Sequence, residues 1–284
     1  MDKKECTTYV VGNFKGGVGK TKLVTMLSYI SASSFNKKTL VVDMDPQGNA
    51  TRVLAKTGNI DSVTKSITKG FETGNLKPQI IPVIKNLDMI PSSTTFRNLT
   101  KILIEKFPDD EDKQIYYLKN LLDPIKNDYD VIYIDVPPTI SDFSDNAMLA
   151  ADYCIIVMQT QELSLDGVKI YISYMQYLAD NYNSNLDVLG IVPMMLRPGG
   201  RVDEKVMKQA KELYKGNVLK TIIRYQERLK VYDVEGIRSL KDNLNVDGTK
   251  DIWDTRAHKT FVELLKELNR HEKILEEFKV NENN

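Results

Sequence analysis

A segment rich in glycine and lysine, "GNFKGGVGKTKL" (residues 12–23), follows the apolar run "TTYVV" and precedes a helix-length stretch. A strand, a glycine-rich turn and a helix in this order point successive backbone N–H groups at a phosphate. The helix then adds the positive end of its dipole. This segment constrains the fold more than any other, because such a loop needs a strand before it and a helix after it. It predicts a phosphate-binding loop.

Two lysines stand in this loop. Lys20 is expected to reach the β- and γ-phosphate oxygens of a nucleotide, and the Thr21 hydroxyl is placed to bind Mg²⁺. The spacing G-x-x-x-x-G-K-[ST] would put a glycine at position 14, where this chain has Phe14. Lys15 lies at the entrance and cannot easily fold back onto the phosphate that Lys20 holds. We therefore expect Lys15 to point outward to the nucleotide of a second subunit, as in a dimer with two sandwiched ATP molecules.

Short apolar runs alternate with amphipathic segments along the chain. The runs are "TTYVVGNF", "TLVVDMD", "LDMIPS", "DVIYIDV", "YCIIVMQ", "LDVLGIVP" and "VLKTII". The segments between them predict helices over 20–34, 114–126, 165–183 and 202–215. Runs this apolar are typical of strands buried on both faces. The pattern predicts an α/β fold in one domain spanning 1–284, with a single doubly wound, mostly parallel sheet and helices on both faces.

Composition excludes several classes of protein. No apolar run approaches the roughly 20 residues of a membrane helix, and the polar start "MDKKEC" lacks the apolar centre of a secretory signal. We expect a cytoplasmic protein with no membrane partner. Cys6 and Cys154 form no C-x-x-C pair, so neither a disulfide framework nor a cysteine-bound cluster is indicated.

Acidic residues follow two of the apolar runs, where parallel sheets bind ligands. Asp135 ends a run in which an isolated acid would be costly unless it faced a metal site, so we assign it to Mg²⁺; the alternative is a helix or turn cap. Asp43 and Asp45 are two residues apart and would share one face of the sheet if the strand continued that far. For Asp45 an Asx-turn opening "DPQG" is a second interpretation, and both roles can coexist.

The formal net charge is zero, with 39 bases and 39 acids, but its distribution is uneven. Between residues 197 and 241 there are twelve bases and six acids, a difference of +6, which leaves −6 elsewhere. Lys205, Lys208, Lys211 and Lys215 have helical spacing and form a stripe. Such a stripe is either a solvated face or a surface for phosphates.

Three motifs carry a resemblance to a known family. "KGGVGKT" resembles the deviant Walker A loop of the ParA/MinD family of P-loop ATPases, whose first lysine is its signature residue. "VVDMDPQGNAT" (41–51) is similar to the family's second acidic motif, and "VIYIDVPPT" (131–139) to its Walker B strand with paired prolines. The resemblance continues more weakly through "ADYCIIVMQTQELSLDGV" to "LKTIIRYQERL".

The resemblance implies an ATPase that uses ATP and Mg²⁺. Asp45 would orient the attacking water, Asp43 would support the metal shell, and Lys15 would also stabilise charge on the transferring phosphoryl group, so the catalytic residues are Lys15, Lys20 and Asp45. The adenine would lie near Pro193 and Met194, for which a packing role is the alternative. The nucleotide-binding residues of the loop would be Lys15, Gly16, Gly17, Val18, Gly19, Lys20, Thr21 and Lys22.

"DPQGNAT" resembles the partition branch of the family more than the cell-division branch. It implies a ParA-like ATPase for plasmid or chromosome segregation, whose ATP-bound homodimer binds DNA non-specifically on the nucleoid. A ParB-like centromere-binding protein would stimulate hydrolysis and release. The DNA-binding residues would be Arg197, Arg201, Lys205, Lys208, Lys211, Lys215, Arg224 and Arg228. The family's "IPRNVRL" reads "IRYQERL" here, so which arginine contacts phosphate is open.

Two other functions remain from the same superfamily. A metal-cluster carrier or reductase is disfavoured by the absence of paired cysteines. A MinD-like positioning ATPase would use a terminal helix to bind membrane. The predicted helix 257–279 carries five bases and five acids, which suits packing on the domain better than an anionic lipid surface.

The same helix has one apolar face, and we expect Trp253 to anchor it. The residues spaced for that face are Phe261, Leu264, Leu265, Leu268, Ile274 and Leu275. The chain begins close to its first predicted strand, so we expect none of the N-terminal helix-turn-helix extension of longer family members.

Overall fold

The structure is a computed structural model that describes residues 5–160, 164–182, 184–196, 200–241, 249 and 251–282. Within these residues, eight strands form one sheet. The strands are β1 (Thr7–Gly12), β2 (Thr39–Asp43), β3 (Ile81–Ile84), β4 (Leu87–Ile90), β5 (Val131–Asp135), β6 (Tyr153–Gln159), β7 (Asp187–Leu196) and β8 (Ile223–Arg224). Their order across the sheet is β3-β4-β2-β5-β1-β6-β7-β8.

Every neighbouring pair is parallel except β3 with β4, which is antiparallel at one edge. This confirms the predicted mostly parallel sheet. The hairpin strand β3 was not predicted, because it is four residues long and contains Pro82, which weakens a strand pattern. Register places Asp43 of β2 beside Asp135 of β5. The carboxyl ends of the central strands therefore bring both acids to one place.

Eleven α-helices and three short 3₁₀ turns connect these strands in the described residues. The helices are α1 (Lys20–Phe35), α2 (Asn49–Thr57), α3 (Ile67–Thr73), α4 (Leu99–Lys106), α5 (Glu111–Ile115), α6 (Tyr117–Lys126), α7 (Asp142–Ala150), α8 (Ser164–Tyr182), α9 (Arg201–Tyr214), α10 (Glu227–Glu235) and α11 (Ile252–Glu282). The 3₁₀ turns are Lys77–Gln79, Thr94–Asn98 and Lys215–Asn217.

Both faces of the sheet are covered. Alternate residues of a strand point to opposite faces, so Val10 packs into one core and Val11 into the other. The first core is closed mainly by α3, α4, α6, α7 and α8, and the second by α1, α2, α10 and α11. This two-sided burial is the reason that the strands have almost continuous apolar sequences.

Two predicted helices have different bounds in the structure. The predicted helix 114–126 divides at Tyr116, whose φ of −90° and ψ of 5° leave helical geometry. The last helix starts at Ile252 instead of 257 and continues to Glu282. Asp251 Oδ1 accepts the N–H groups of Trp253 and Asp254 at 2.9 and 3.3 Å, an N-cap that amphipathic spacing alone does not indicate.

The apolar face of α11 packs on the sheet and on α1. Phe261, Leu264, Leu265 and Leu268 are buried, and Leu275 is partly buried. The prediction was wrong for Ile274, which is 49% exposed because, at about 100° per residue, it points away from the face that carries Phe261, Leu268 and Leu275. It was also wrong for Trp253, whose indole is no anchor and is 54% exposed.

No helix of the described residues is both long enough and apolar enough to span a membrane.

Candidate functional site

The glycine-rich loop joins β1 to α1 at the centre of the sheet. β1 ends at Gly12 and α1 begins at Lys20. Gly17 and Gly19 have φ angles of +71° and +103°, a left-handed region that side chains with a Cβ rarely adopt. The turns at these glycines let the chain curl back so that backbone N–H groups face the middle of the loop. This is the strand, loop and helix arrangement that the sequence predicts.

Side chains from β1 and β6 hold the loop in place. Asn13 Nδ2 donates to the Val157 carbonyl at 2.8 Å, and Asn13 Oδ1 accepts the Lys15 N–H at 2.8 Å. On the other side of the loop, Gln159 Nε2 donates to the Gly17 carbonyl at 2.8 Å. Sequence reasoning missed Asn13 and Gln159. The position of Asn13 one residue after an apolar strand was the one available signal for it.

Lys20 lies inside the loop and is buried. Its ammonium donates to the carbonyls of Asn13 at 2.9 Å and Lys15 at 3.3 Å. Burial lowers the pKa of Lys20, while the nearby charges of Asp135 and Asp45 raise it. A cation that has given up water for two carbonyl oxygens is well placed to exchange them for phosphate oxygens.

Phe14 explains the departure from the strict glycine spacing. Its ring packs against Tyr171 and Tyr174 of α8, with ring centroids 4.7 and 5.4 Å apart. The side chain therefore points away from the loop and fills the interface with α8. A residue with a large apolar side chain at position 14 leaves the phosphate cradle open, so it is compatible with the loop's chemistry.

Thr21 and Asp135 form the polar contact next to the loop. Thr21 Oγ1 donates to Asp135 Oδ2 at 2.8 Å. The other carboxylate oxygen, Asp135 Oδ1, is buried and has no hydrogen-bond partner in the described part of the chain. Burial and then the charge of Asp43 raise the pKa of Asp135 well above its usual value. The alternative in which Asp135 caps a helix or turn does not match this geometry.

A divalent cation fits these residues. An orphaned buried carboxylate oxygen beside a threonine hydroxyl is a hard-oxygen donor set, the kind that Mg²⁺ prefers. The described residues contain no cluster of three or more His, Cys, Asp or Glu side chains able to hold a metal by themselves. That is the usual condition for Mg²⁺ in phosphoryl-transfer sites, where one or two protein ligands share the ion with water and phosphates.

Asp43 has a different arrangement from the one predicted. Its carboxylate accepts the Asp45 N–H at 3.1 Å, the Thr51 N–H at 2.8 Å and the Thr51 hydroxyl at 2.7 Å. Burial raises the pKa of Asp43 to about 6. With these three donors in place, Asp43 orders the start of α2 and the turn at Asp45. Asp43 can support a metal shell in two ways. Its negative charge acts on the neighbouring Asp135, and its hydrogen bonds position the turn at Asp45.

Asp45 lies beyond the end of β2, so the condition under which Asp43 and Asp45 would share one face of the sheet is not met. Its Oδ1 accepts the Gln47 N–H at 2.9 Å, and its carbonyl accepts the Gly48 N–H at 2.8 Å. The Asx-turn interpretation therefore describes this segment. The turn still leaves Asp45 in the wall of the cleft that faces Thr21, so it does not exclude a role in orienting water.

Lys20, Thr21 and Asp45 line a cleft of about 640 Å³, and Asp135 is buried next to Thr21. Its walls come from residues 17–22, from the turn and first residues of α2, from Val136 and Pro138 after β5, and from Asp233 and Val234 of α10. Gly16 is exposed and Lys15 beside it is half-buried, and neither lines this cleft, whereas Val18 lines it and is buried. The structure thus brings residues 17–22 of the predicted loop together at the cleft.

Lys22 is the exception among the loop residues. Its ammonium contacts the Leu229 carbonyl and the Asp233 carboxylate of α10. Burial lowers the pKa of Lys22, and the contact with Asp233 raises it. The side chain therefore ties α1 to α10, and any contact of Lys22 with a nucleotide would come from its backbone.

The two candidates for adenine lie inside β7. Pro193 pairs with Met158 and Met194 with Gln159 of β6, and both side chains are buried. Met194 belongs to the core that α1 and α11 close. The packing alternative therefore describes both side chains.

The predicted DNA-binding residues fall into three groups. Arg201, Lys205, Lys208 and Lys211 are exposed on α9, opposite the buried Val206, Met207 and Ala210. Lys215 follows the end of α9 and Arg224 ends β8, and both are exposed. Arg197 lies outside the described residues.

Arg228 has a partner inside the protein, which corrects its assignment to DNA in this conformation. Its guanidinium contacts Asp251, and its Nε lies 3.2 Å from Asp254 Oδ1, so two carboxylates at the start of α11 share it. The Arg228 side chain is 15% exposed. An arginine held this way joins α10 to α11 and does not present its charge to a phosphate backbone.

Comparison with known proteins shows which chains share these features. A family model described as an AAA domain matches residues 6–188. The chain is 31% identical over 217 residues to the chromosome-partitioning ATPase Soj of Treponema pallidum, covering 76% of this chain and 82% of that one. It is 30% identical over 260 residues to the virulence plasmid ParA family protein pGP5-D of Chlamydia psittaci, covering 90% and 92%.

Solved structures share the fold. The ATP complex of a single-residue variant of Cyanothece McdA superposes with a TM-score of 0.77 at 20% identity, covering 94% of this chain and 97% of that one. Cobyrinic acid a,c-diamide synthase of Mycobacterium smegmatis, with bound ADP and magnesium, superposes with a TM-score of 0.69 at 22% identity, covering 81% and 92%. Two proteins with such different names share this fold, so the fold alone does not identify the function of a chain that has it.

Proposed function

The chain belongs to the ParA family of ATPases, and from that membership we propose that it is a Mg²⁺-dependent partition ATPase whose ATP-bound dimer binds DNA. ATP hydrolysis to ADP and phosphate ends the DNA-bound state. A centromere-binding protein of the ParB kind stimulates this step. The protein acts on the nucleoid in the cytoplasm.

The observation that carries the proposal is the pairing of Lys20 with the Thr21–Asp135 contact in one cleft. Lys20 is buried with two carbonyl partners that a phosphate can replace, and Asp135 has an orphaned oxygen beside Thr21. Bound Mg²⁺ would neutralise charge on the β- and γ-phosphates. Thr21 and Asp135 would hold it, Lys20 would neutralise the γ-phosphate, and Asp45 would orient the attacking water.

The known relatives support the ATPase and partition parts of the proposal. The Treponema relative is a chromosome-partitioning ATPase by name, the Chlamydia relative is a plasmid ParA family protein, and the McdA structure contains ATP. The cobyrinic acid a,c-diamide synthase structure contains ADP and magnesium. These are properties of those proteins, and we extend ATP and Mg²⁺ to this chain because its own cleft has suitable donors.

For DNA we propose the exposed face of α9 as the contact surface. Four exposed basic side chains lie on this face, namely Arg201, Lys205, Lys208 and Lys211. Basic side chains of this kind bind backbone phosphates and therefore suit DNA of any base sequence. Lys208 is also 4.0 Å from Glu212, a weak surface pair that a phosphate can replace.

The test is DNA binding with Mg²⁺ and ATP, with ADP, and without nucleotide, using a duplex of random sequence. We expect binding with ATP alone and its loss in Lys20→Ala, because that variant lacks the ammonium that holds the nucleotide. Lys208→Ala should bind ATP normally but lower the slope of log affinity against log salt by about 0.9, the value for one lost phosphate contact.

Lys69→Ala is the matched control, since Lys69 is an exposed lysine of α3 on another part of the surface. It should leave both the affinity and the salt slope unchanged. Equal binding of DNA with ADP and with ATP would contradict the proposed switch. If the slope of log affinity for DNA against log salt is unchanged in Lys208→Ala, α9 is not part of the DNA-binding surface.

A further inference from the structure

A second groove, which shares no residue with the nucleotide cleft, lies between α11 and the segment before α10. It has a volume of about 950 Å³. One wall is residues 220–226, which lead from just after the 3₁₀ turn Lys215–Asn217 through β8 to α10. The other wall is a face of α11 next to the buried Leu264, since Thr260 and Glu267 of this wall lie four and three residues from Leu264.

The α11 wall is one continuous helical stripe. Its members are separated by three or four residues in turn, which is the spacing of a single helix face. They are Trp253, Arg256, Thr260, Glu263, Glu267 and Arg270. From Trp253 to Arg270 the stripe is about 25 Å long, at about 1.5 Å of rise per residue.

The groove is positive. Lys220 and Arg224 on one wall face Arg256, Lys266 and Arg270 on the other, against two acids in the lining. All five bases are exposed. One of the two acids, Glu267, is engaged in structure, because its oxygens accept the N–H groups of Lys220 and Thr221 at 2.7 and 2.9 Å.

Glu267 thereby fixes the spacing of the two walls. Burial by itself would raise the pKa of Glu267, but the hydrogen bonds from Thr221 and Lys220 outweigh it and lower that pKa. The carboxylate therefore stays ionised and keeps the segment before β8 on α11. The groove is held open by this contact and does not need a ligand to form it.

One end of the groove carries aromatic side chains. The Trp253 indole is more than half exposed, and the Arg256 guanidinium lies 5.1 Å from its ring centroid. Tyr225 is also exposed at this end, with Lys230 located 4.8 Å from the centre of its ring. Exposed aromatic rings flanked by cations form a surface on which a flat, electron-rich ring can stack.

We propose that this groove binds single-stranded nucleic acid, with the backbone along the basic walls and an unpaired base stacked on Trp253. A positive channel with a stacking platform is the recognised chemistry of such sites. Duplex DNA keeps its bases stacked inside the helix and cannot offer one to Trp253. An acidic peptide would satisfy the basic walls but would leave the indole without a partner.

Because the groove and the nucleotide cleft are separate, this binding does not require ATP. It therefore stands or fails independently of the proposed partition function. Lys20→Ala, which should abolish ATP-dependent duplex binding, is expected to bind a single strand as the unchanged chain does.

Trp253 is also the reporter for the test, since it is the sole tryptophan of the sequence. An oligothymidylate of about twelve nucleotides, within the roughly 4–16 nucleotides that single-strand sites cover, is titrated without ATP. We expect saturable quenching of the tryptophan emission. An abasic strand of equal length carries the same phosphates and should quench much less.

Variants are compared by the fluorescence anisotropy of a labelled oligothymidylate. Trp253→Ala should weaken binding about tenfold, while Trp253→Phe should retain most of the affinity, as expected for stacking of one base. Arg256→Ala should lower the salt slope by about 0.7 for one lost contact with a single strand. Lys259→Ala is the matched control, because Lys259 is an exposed lysine of α11 outside the groove.

Three results with other ligands would overturn the proposal. The first is equal affinity for the abasic strand and for oligothymidylate. The second is that a duplex of the same length binds more tightly than the single strand and that Arg256→Ala weakens this duplex binding. The third is that polyglutamate displaces the oligothymidylate at equal charge concentration. Loss of binding in Lys259→Ala equal to that in Arg256→Ala would also overturn it, by showing that general positive charge is sufficient.

Discussion

At the scale of single residues, the nucleotide cleft is built from buried charges that are costly in the protein without a ligand. Asp43 and Asp135 are side by side at the ends of β2 and β5, both buried. Asp135 has an orphaned oxygen, and Lys20 has given up water for carbonyl oxygens. Burying a carboxylate without a full set of hydrogen-bond partners costs free energy. The binding of a cation and of phosphates can offset this cost.

Asp135→Asn should therefore separate stability from function. We expect a gain of about 1–2 kcal/mol in the free energy of unfolding at pH 8, since the buried charge is removed, together with loss of Mg²⁺-dependent ATP hydrolysis. The folded-state pKa of Asp135 is raised above its unfolded value. The unchanged chain is therefore more stable when this carboxyl is protonated and loses that stability as the pH rises through the raised pKa.

The stability gain of Asp135→Asn should accordingly shrink as the pH is lowered from 8 to 5. The measurement is urea unfolding at several pH values, paired with phosphate release. Asp128→Asn is a control, because Asp128 is an exposed acid just before β5. A destabilised Asp135→Asn protein at pH 8 would contradict this account of the cleft.

At the scale of elements, α11 connects β1, β7 and α10. Glu272 of α11 accepts hydrogen bonds from the hydroxyl groups of Tyr9 and Thr7 of β1, each at 2.9 Å. Arg228 links the start of α11 to α10, and Lys22 links α10 to α1, the helix that follows the phosphate loop. The helix therefore packs as a structural element of the domain along its buried face.

Leu264→Ala should destabilise the protein by about 2–5 kcal/mol, because it leaves a cavity in the core under α11. Ile274→Ala is the matched control on the same helix and should change the free energy of unfolding by less than about 0.5 kcal/mol, since Ile274 is half-exposed. Denaturant unfolding of both variants measures this difference. Equal effects of the two changes would show that α11 does not pack as described.

Sequence patterns and structure agree where the signal is local. The glycine spacing predicts the loop, and an acid at the end of an apolar strand predicts the place of Asp135. Local sequence patterns do not predict contacts between residues that are far apart in the chain. The contact of Asn13 with Val157 of β6 and the contact of Arg228 with Asp251 each join residues from separate parts of the chain.

At the scale of the whole molecule, positive charge is concentrated on two parts of the exterior. The net charge is zero, but α9 and the groove beside α11 collect positive side chains. A single chain offers the proposed DNA surface of α9 only once, and non-specific DNA affinity grows with the number of phosphates contacted. Joining two copies through the nucleotide would double that number, which is why dimerisation is central to the proposed switch.

Lys15 is the residue on which that joining depends. Its backbone N–H is fixed by Asn13, and the residue is half-buried next to the exposed Gly16, outside the lining of the cleft. Lys20 already fills the position inside the loop. We therefore expect Lys15 to act on the nucleotide of a second copy, so its removal should affect association more than nucleotide binding.

The most direct measurement is sedimentation equilibrium with Mg²⁺ and a non-hydrolysable ATP analogue, comparing the unchanged chain with Lys15→Ala. We predict that the unchanged chain becomes a dimer, whereas Lys15→Ala binds the analogue with similar affinity and stays a monomer. If Lys15→Ala dimerises with an unchanged association constant, or the unchanged chain remains a monomer when saturated with the analogue, the central claim is wrong.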